Sequence, residues 1–170
     1  MKFFTCLGTA LCLTFSVFCQ DITGLWKGTI YNDDSKKSLD YEVYISKEKG
    51  KLTGFSHTWF LINEKKYYGI KKLKVHIAKD GKIILQDEAL VENNYPVAPN
   101  KNIFQLNVLD LYSLDDEIVL EGPFVTNATK AFKELTGHTN IKKVNILSTS
   151  DLMQFLDKNS GDRNLVVAKK

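Results

Sequence analysis

The sequence predicts an all-β domain, built as an antiparallel barrel or sandwich of seven or eight strands. Apolar and polar residues alternate with period two through segment after segment. Turn residues separate these segments at short and regular spacing, which is typical of all-β folds. Helical periodicity is nearly absent between the segments, so no stretch is available as the crossover helix of a parallel sheet.

Each predicted strand is bounded by turn-forming residues. Leu39–Ser46 is a half-buried strand, because its odd-numbered positions are apolar and its even-numbered positions are mostly polar. Lys79–Lys82 contains an Asp-Gly pair, the clearest hairpin signal in the chain. The seven segments with strand character are Gly24–Tyr31, Leu39–Ser46, Lys51–Ile62, Tyr67–Ala78, Ile83–Val91, Ile103–Leu114 and Ile118–Val125.

The C-terminal part of the chain predicts one more strand and a helix. Asn140–Leu147 alternates like an eighth strand. The stretch before it, 126–139, is compatible with either a surface loop or one helical turn. Ser150 is placed to cap a short helix, and the tail from Asn159 is expected to be loose. The apolar stripe of that helix consists of Leu152, Met153, Phe155 and Leu156.

Residues 1–19 have the composition of a secretory signal peptide. Lys2 supplies a positive start, residues 3–18 form an apolar stretch, and polar residues follow without a basic stop signal. The apolar stretch is short for a bilayer span. We therefore predict export to the periplasm or the extracellular space, with 20–170 as the mature domain. Acylation of Cys19 as a lipoprotein is the alternative, which the bulky Phe18 before it disfavours.

The mature chain predicted in this way contains no cysteine. Cys6, Cys12 and Cys19 all lie in the leader, so no disulfide, thiolate metal site or cysteine nucleophile is expected. About 150 residues suffice for one core and are too few for two. Removing the leader takes away one lysine and no acidic residue, which leaves 22 basic against 20 acidic residues. This balance predicts neither a nucleic-acid partner nor an anionic membrane surface.

Motifs for catalysis or metal binding are missing from the sequence. His57, His76 and His138 lie on different segments without the spacing of a zinc site. The acidic run 115–117 lacks the alternating oxygen ligands and the glycine of a calcium loop, and is typical of a solvated hairpin tip. The sequence contains neither a nucleophile motif nor a phosphate-binding glycine loop. We therefore predict no enzyme activity and no bound metal or cofactor.

The first predicted strand opens with Gly24 and Trp26 in a Gly-x-Trp motif. With this motif and the hairpins that follow, the segment 21–147 resembles the lipocalin (calycin) barrel family and is similar to small exported lipocalin-like proteins of Bacteroidetes. The resemblance implies an antiparallel up-and-down β-barrel of about eight strands, here with a short C-terminal helix. It also implies that Trp26 closes the narrow end beneath a basic side chain of the last strand, which is Lys142 or its neighbour Lys143.

Aromatic side chains are the main candidates for a binding site. Inward residues of an eight-stranded barrel either fill the interior or line one small-molecule cavity, and the sequence leaves both open. Both faces of Lys51–Ile62 are mixed, so its inward face stays open as well. The walls and hydrogen-bonding groups of a cavity are expected from Phe55, His57, Trp59, Tyr67, Tyr68, Phe104 and Tyr112.

Two functions are compatible with these patterns and with the resemblance. The first is an exported, non-catalytic binding protein that holds a small hydrophobic molecule in the barrel. The second is a filled barrel that acts as a cell-envelope interaction module and binds a protein or a glycan through its surface. No transmembrane segment is predicted in the mature chain, and the identity of any protein partner stays open. The interior of the folded barrel is the feature that distinguishes the two functions.

Overall fold

The computed structural model describes residues 21–98, 102–145 and 150–159 of the 170-residue chain. Eight antiparallel strands pair in sequence order, and the last strand pairs with the first, so the sheet closes into an up-and-down barrel. The predicted all-β barrel with a short C-terminal helix is confirmed, and the closure excludes a sandwich. The elements are β1 (Gly24–Asn32), β2 (Lys37–Glu48), β3 (Lys51–Ile62), β4 (Lys65–Ile77), β5 (Ile83–Asn93), β6 (Gln105–Leu114), β7 (Glu117–Thr126), β8 (Thr136–Val144) and α1 (Asp151–Lys158).

The predicted strands agree with the observed strands except at the end of the barrel sequence. β3 has the predicted bounds, and the bounds of β1, β2 and β4 to β7 differ by no more than two residues. β8 begins at Thr136 rather than at Asn140, and it ends at Val144. Residues 136–139 are therefore strand rather than loop or helical turn, because they pair with residues 122–125 of β7.

The strand register determines which side chains point into the barrel. Tyr41, Val43 and Ile45 of β2 belong to the buried core. Residues directly opposite each other in an antiparallel ladder lie on the same face of the sheet. The β3 residues opposite these three are Thr58, Ser56 and Gly54. The inward face of β3 is therefore small and polar at its centre, and Phe55, His57 and Trp59 point outward.

One end of the barrel is closed by apolar side chains. This closed end carries the turns at 49–50, 79–82 and 115–116. Trp26 is fully buried there, and its indole Nε1 donates a hydrogen bond to the Ile22 carbonyl oxygen at 3.0 Å. The core also contains Ile45, Val75, Ile83, Leu85, Leu109, Leu120 and Ile141. The closed end is thus a packed apolar plug.

The opposite end of the barrel is its mouth. It carries the turns at 33–36 and 63–64 together with the two longer connections, β5–β6 and β7–β8. Longer connections place side chains over an opening that hairpin turns leave uncovered. Large apolar side chains are also exposed toward this end, namely Tyr31, Leu61, Val97, Phe104 and Val125. The two ends of the barrel thus differ in their connections, which are short turns at the closed end and include two longer connections at the mouth.

The helix α1 lies on the outside of the barrel, against β2 and β3. Ser150 is its N-cap, as predicted, and the Ser150 hydroxyl accepts a hydrogen bond from the Met153 amide at 3.1 Å. Leu152 and Met153 are buried. No helix in the described ranges is long and apolar enough to cross a membrane. The predicted signal peptide 1–19 and the tail beyond residue 159 lie outside the described residues.

Candidate functional site

Polar side chains occupy the interior of the barrel between the closed end and the mouth. All of them lie on the inward face that the register defines. We call this group the interior polar cluster, and its members are Tyr41, Ser56, Lys71, Asp87, Gln105, Asn107 and Thr139. Interiors that serve packing alone are dominated by aliphatic side chains, so the interior polar cluster is the main candidate for a binding site.

Asp87 is the charged centre of the interior polar cluster. Its carboxylate forms an ion pair with the Lys71 ammonium group and accepts a hydrogen bond from the Gln105 backbone amide at 2.9 Å. The Asp87 side chain is only 4% exposed. Withdrawing a charge from water costs free energy, so the loss of either partner would leave an unpaired charge and destabilise the fold. Among the described residues, no group of three or more His, Cys, Asp or Glu side chains is placed to hold a metal ion.

Asn107 connects three strands within the interior polar cluster. Its Oδ1 accepts hydrogen bonds from Thr139 Oγ1 at 2.8 Å and from Gln105 Nε2 at 3.1 Å. Its Nδ2 donates to the Leu85 carbonyl oxygen at 3.4 Å. A buried amide that loses such partners leaves unpaired polar atoms behind, so the network holds these side chains in one arrangement.

Two phenols stay protonated, that of Tyr41 within the interior polar cluster and that of Tyr95 near it. Burial, and after it the Asp87 carboxylate, raises the pKa of Tyr41 and the pKa of Tyr95 above the ordinary value. Hydrogen bonds of Tyr41 with Ser56 and Asn107 act in the opposite direction but do not outweigh burial. Both phenols therefore keep their hydrogen at neutral pH and can donate it to an acceptor.

Tyr95 lies at the mouth and comes from the β5–β6 connection rather than from a strand. Its hydroxyl occupies the space above Gly69, where a Cβ atom would collide with it. The Phe60 ring meets the Tyr95 ring edge-on, with the centroids 5.1 Å apart. The β5–β6 connection is held to β4 by a hydrogen bond, which Asn94 Oδ1 accepts from the Tyr68 backbone amide at 2.7 Å. Tyr95 thus packs against β3 and β4 at the mouth without being part of the barrel ladder.

Phe55, His57 and Trp59 point away from the interior, which corrects their predicted location as cavity walls. His57 stacks on Trp59 with ring centroids 3.8 Å apart, and the Tyr68 ring meets His57 edge-on at 5.1 Å. His57 is 4% exposed, and neither of its ring nitrogens has a hydrogen-bond partner among the described residues. Burial lowers the pKa of His57, so the ring is neutral at neutral pH.

The remaining predicted ligand residues divide between the two faces. Tyr67 faces the interior and stacks on Phe60 near the mouth, with ring centroids 6.0 Å apart. Tyr68 is opposite Trp59 and therefore points outward. Tyr112 also points outward, and Phe104 precedes β6 and is exposed. Of the seven predicted ligand residues, the structure brings only Tyr67 to the interior.

The lysine that covers Trp26 is Lys143 rather than Lys142. Trp26 and Lys143 are opposite each other in the β1–β8 ladder, and the Lys143 ammonium group lies 5.9 Å from the indole centroid. Lys142 points to the outer face, where it pairs with Glu117. Successive strand residues alternate in direction, so only one of two adjacent lysines can reach the indole. Gly24 has a φ of 112°, a conformation that favours glycine.

A second buried carboxylate, that of Glu42, lies on the outer face beneath α1. Its Oε2 accepts hydrogen bonds from Ser150 Oγ at 2.8 Å and from the Leu152 amide at 3.0 Å. Its Oε1 pairs with the Lys27 ammonium group at 2.7 Å. A carboxylate at a helix N-terminus is stabilised by the unpaired amides and by the helix dipole. We therefore assign Glu42 to the docking of α1.

The closed eight-stranded barrel, with Trp26 at its closed end beneath Lys143, defines the class of fold. It is an up-and-down β-barrel of lipocalin-like architecture. No family model matches the chain, and no curated protein matches it. Among solved structures, the chain is similar to the odorant-binding protein from bovine nasal mucosa, at 19% sequence identity over 85% of this chain and 86% of that chain, with a TM-score of 0.36.

Proposed function

We propose that the protein is a non-catalytic binding protein whose barrel holds one small, mainly hydrophobic molecule that carries a polar group. The observation that carries this proposal is the interior polar cluster, which places an ion pair, amides and hydroxyl groups inside an otherwise apolar barrel. Small-molecule sites have this composition, with mostly apolar walls and a few polar groups that orient the ligand.

The polar group of the ligand lies on the interior polar cluster in this proposal. The Lys71 ammonium group has three hydrogens and contacts only the Asp87 carboxylate among the described polar groups. It can therefore donate to a ligand acceptor without leaving Asp87. The apolar part of the ligand lies toward the mouth, where Phe60 and Tyr67 supply aromatic walls.

Tyr95 is the side chain that a ligand displaces on entry. It belongs to a loop, so its rotation away from Gly69 breaks no hydrogen bond of the strand ladder. Loops that cover a rigid scaffold are the usual places for such movements. The Tyr95 hydroxyl lies in the space at Gly69 that the ligand is proposed to enter.

A dye titration tests this proposal. The neutral dye N-phenyl-1-naphthylamine, which fluoresces in apolar surroundings, should bind the native protein saturably with one site per chain. Tyr95→Ala should bind the dye about fivefold more tightly, because the variant avoids the cost of displacing the phenol, about 1 kcal/mol. Tyr31→Ala, which removes an exposed tyrosine near the mouth, is the matched control and should bind like the unaltered protein.

The opposite result would favour the interaction module. If neither the native protein nor a folded Tyr95→Ala variant takes up the dye, the barrel is a filled one. Binding of a protein or a glycan through the outer surface is then the better account. Circular dichroism and the unfolding transition establish that the variant is folded, so failure to fold cannot be mistaken for failure to bind.

Export is part of the same proposal and is supported by the leader at 1–19. A periplasmic or extracellular binding protein meets small apolar molecules directly. Mass spectrometry of the protein from its natural host should show an N-terminus at Gln20 and no thiol. A lipid on Cys19 would instead establish the lipoprotein alternative, and a full-length chain in the cytoplasm would contradict export.

A further inference from the structure

The strands β3 and β4 separate near the closed end and leave a groove between them. Their ladder stops at Thr53 and Lys74, although β3 begins at Lys51 and β4 continues to Ile77. Beyond that point β3 pairs only with β2, and β4 pairs only with β5. A groove of about 610 Å³, open to solvent, lies in this region. Its size falls within the range of small-molecule sites.

The lining of this β3–β4 groove combines apolar walls with a positive rim. Leu52, Val75 and Ile77 line it, and Ile77 is 47% exposed. The lining also contains three lysines and one glutamate, Glu88, so the positive side chains outnumber the negative one. The Lys72 ammonium group lies 3.6 Å from Glu88, so this glutamate is already engaged.

The other two lysines of the groove have no such partner. The ammonium groups of Lys51 and Lys74 are exposed, and neither has an ion pair or hydrogen bond with any of the described residues. Exposed ammonium groups next to an apolar wall attract an anion that brings its own apolar segment. The β3–β4 groove therefore carries two ammonium groups without an ion pair among the described residues, beside aliphatic side chains.

We propose that the β3–β4 groove is a second ligand site, which binds a single-chain carboxylate of the fatty-acid type. The carboxylate lies between Lys51 and Lys74 on the outer face, and the acyl chain enters between the separated strands and lies along Leu52, Val75 and Ile77. This site is separate from the proposed mouth site, because the groove lies beside the turn at 49–50, at the other end of the barrel.

Titration with octanoate, followed by amide chemical shifts, tests the groove. Octanoate should shift the amides of Leu52, Thr53 and residues 75–77, and 1-octanol, which has the same chain and no charge, should bind more weakly. Lys51→Gln/Lys74→Gln should weaken octanoate binding about fivefold, since each exposed ion pair contributes up to about 1 kcal/mol. The double variant Lys37→Gln/Lys65→Gln removes two exposed lysines near the mouth as the matched control, and should bind octanoate normally.

Three outcomes would overturn this site. Equal binding of octanoate and 1-octanol would show that the lysines have no role. Shifts confined to the interior polar cluster would place the carboxylate at the mouth site and leave the proposed function intact. Binding to vesicles that contain phosphatidylglycerol, without octanoate shifts in the groove, would identify a membrane-surface contact instead.

Discussion

The Glu42 carboxylate and the Ser150 hydroxyl lie 2.8 Å apart, which attaches the N-terminus of α1 to the outer face of β2. The same carboxylate oxygen accepts a second hydrogen bond from the Leu152 amide at 3.0 Å. Both bonds are charge-assisted and lie in a buried site, where Ser150 is fully removed from solvent. The first turn of α1 is therefore fixed by one glutamate of the barrel.

Replacement of this glutamate should release the helix. We expect Glu42→Gln to lower the free energy of unfolding by about 2 kcal/mol, because the amide loses the charge in both bonds and in the pair with Lys27. Hydrogen exchange should accelerate in α1 more than in the strands. Glu48→Gln, at an exposed position of the same strand, should change stability by less than about 0.5 kcal/mol. Unchanged exchange in α1 would contradict the docking role.

His57 should make the protein sensitive to acid. Its pKa is lowered by burial in the folded state, whereas the unfolded chain takes up a proton near the ordinary value of 6.5. Below that pH the unfolded state binds more protons than the folded state, so the free energy of unfolding falls as the pH drops. The charged groups that act on His57 after burial are Glu42, Asp151, Lys66 and Glu92.

His57→Phe separates this effect from the packing of the ring. The phenylalanine keeps the stacking on Trp59 and removes two buried nitrogens that have no described partner. We expect the variant to be more stable by about 1 kcal/mol at neutral pH, and to lose less stability in mild acid. His76→Gln, at an exposed histidine, should keep the full acid sensitivity. Lower stability of His57→Phe at neutral pH would mean that the ring nitrogens are satisfied.

Trp26 should be among the most costly residues to truncate. It is fully buried at the closed end, beneath Lys143. Trp26→Ala should lower the free energy of unfolding by about 3 to 5 kcal/mol, the range for a large buried aromatic side chain. Leu61→Ala, at a residue that is 54% exposed, should stay within about 0.5 kcal/mol. A loss below about 1 kcal/mol at Trp26 would mean that the indole does not close the barrel.

Gly69→Ala should reproduce the effect of removing the Tyr95 ring. The new methyl group would occupy the position of the Tyr95 hydroxyl, and the phenol can move because it is the far end of a loop side chain. We expect Gly69→Ala to bind N-phenyl-1-naphthylamine as tightly as Tyr95→Ala. The double variant should show no further gain, since either change alone already removes the Tyr95 hydroxyl from its position at residue 69. Additive gains in a double-mutant cycle would show that Gly69 and Tyr95 act separately.

Local alternation is sufficient to predict most strands of this barrel. It fails at the start of β8, because the inward positions there are Gly137 and Thr139, which carry no apolar signal. Alternation also leaves the inward face of β3 open, for a different reason. Both faces of this strand mix apolar and polar residues, and only pairing with β2 reveals that Ser56 and not His57 faces the core.

Part of the interior polar cluster can be recognised in the sequence, as polar residues on the apolar side of alternating strands. Ile83, Leu85 and Asp87 alternate on one face of β5, so a carboxylate stands on the apolar side of an alternating strand. Gln105 and Asn107 precede Leu109 in the same way on β6. Such positions indicate buried polar groups. The contact between Tyr95 and Gly69 left no signal, because it joins a loop to a distant strand.

The most direct test of the proposed binding function is to map the dye on the barrel. Amide chemical shifts, recorded with saturating N-phenyl-1-naphthylamine, should change most at Asp87, Gln105, Asn107 and Tyr95. They should change little at His57 and Trp59 on the outer face. Shifts concentrated at the interior polar cluster would support a ligand inside the mouth half of the barrel. Shifts confined to the outer face, with the interior unchanged, would contradict it.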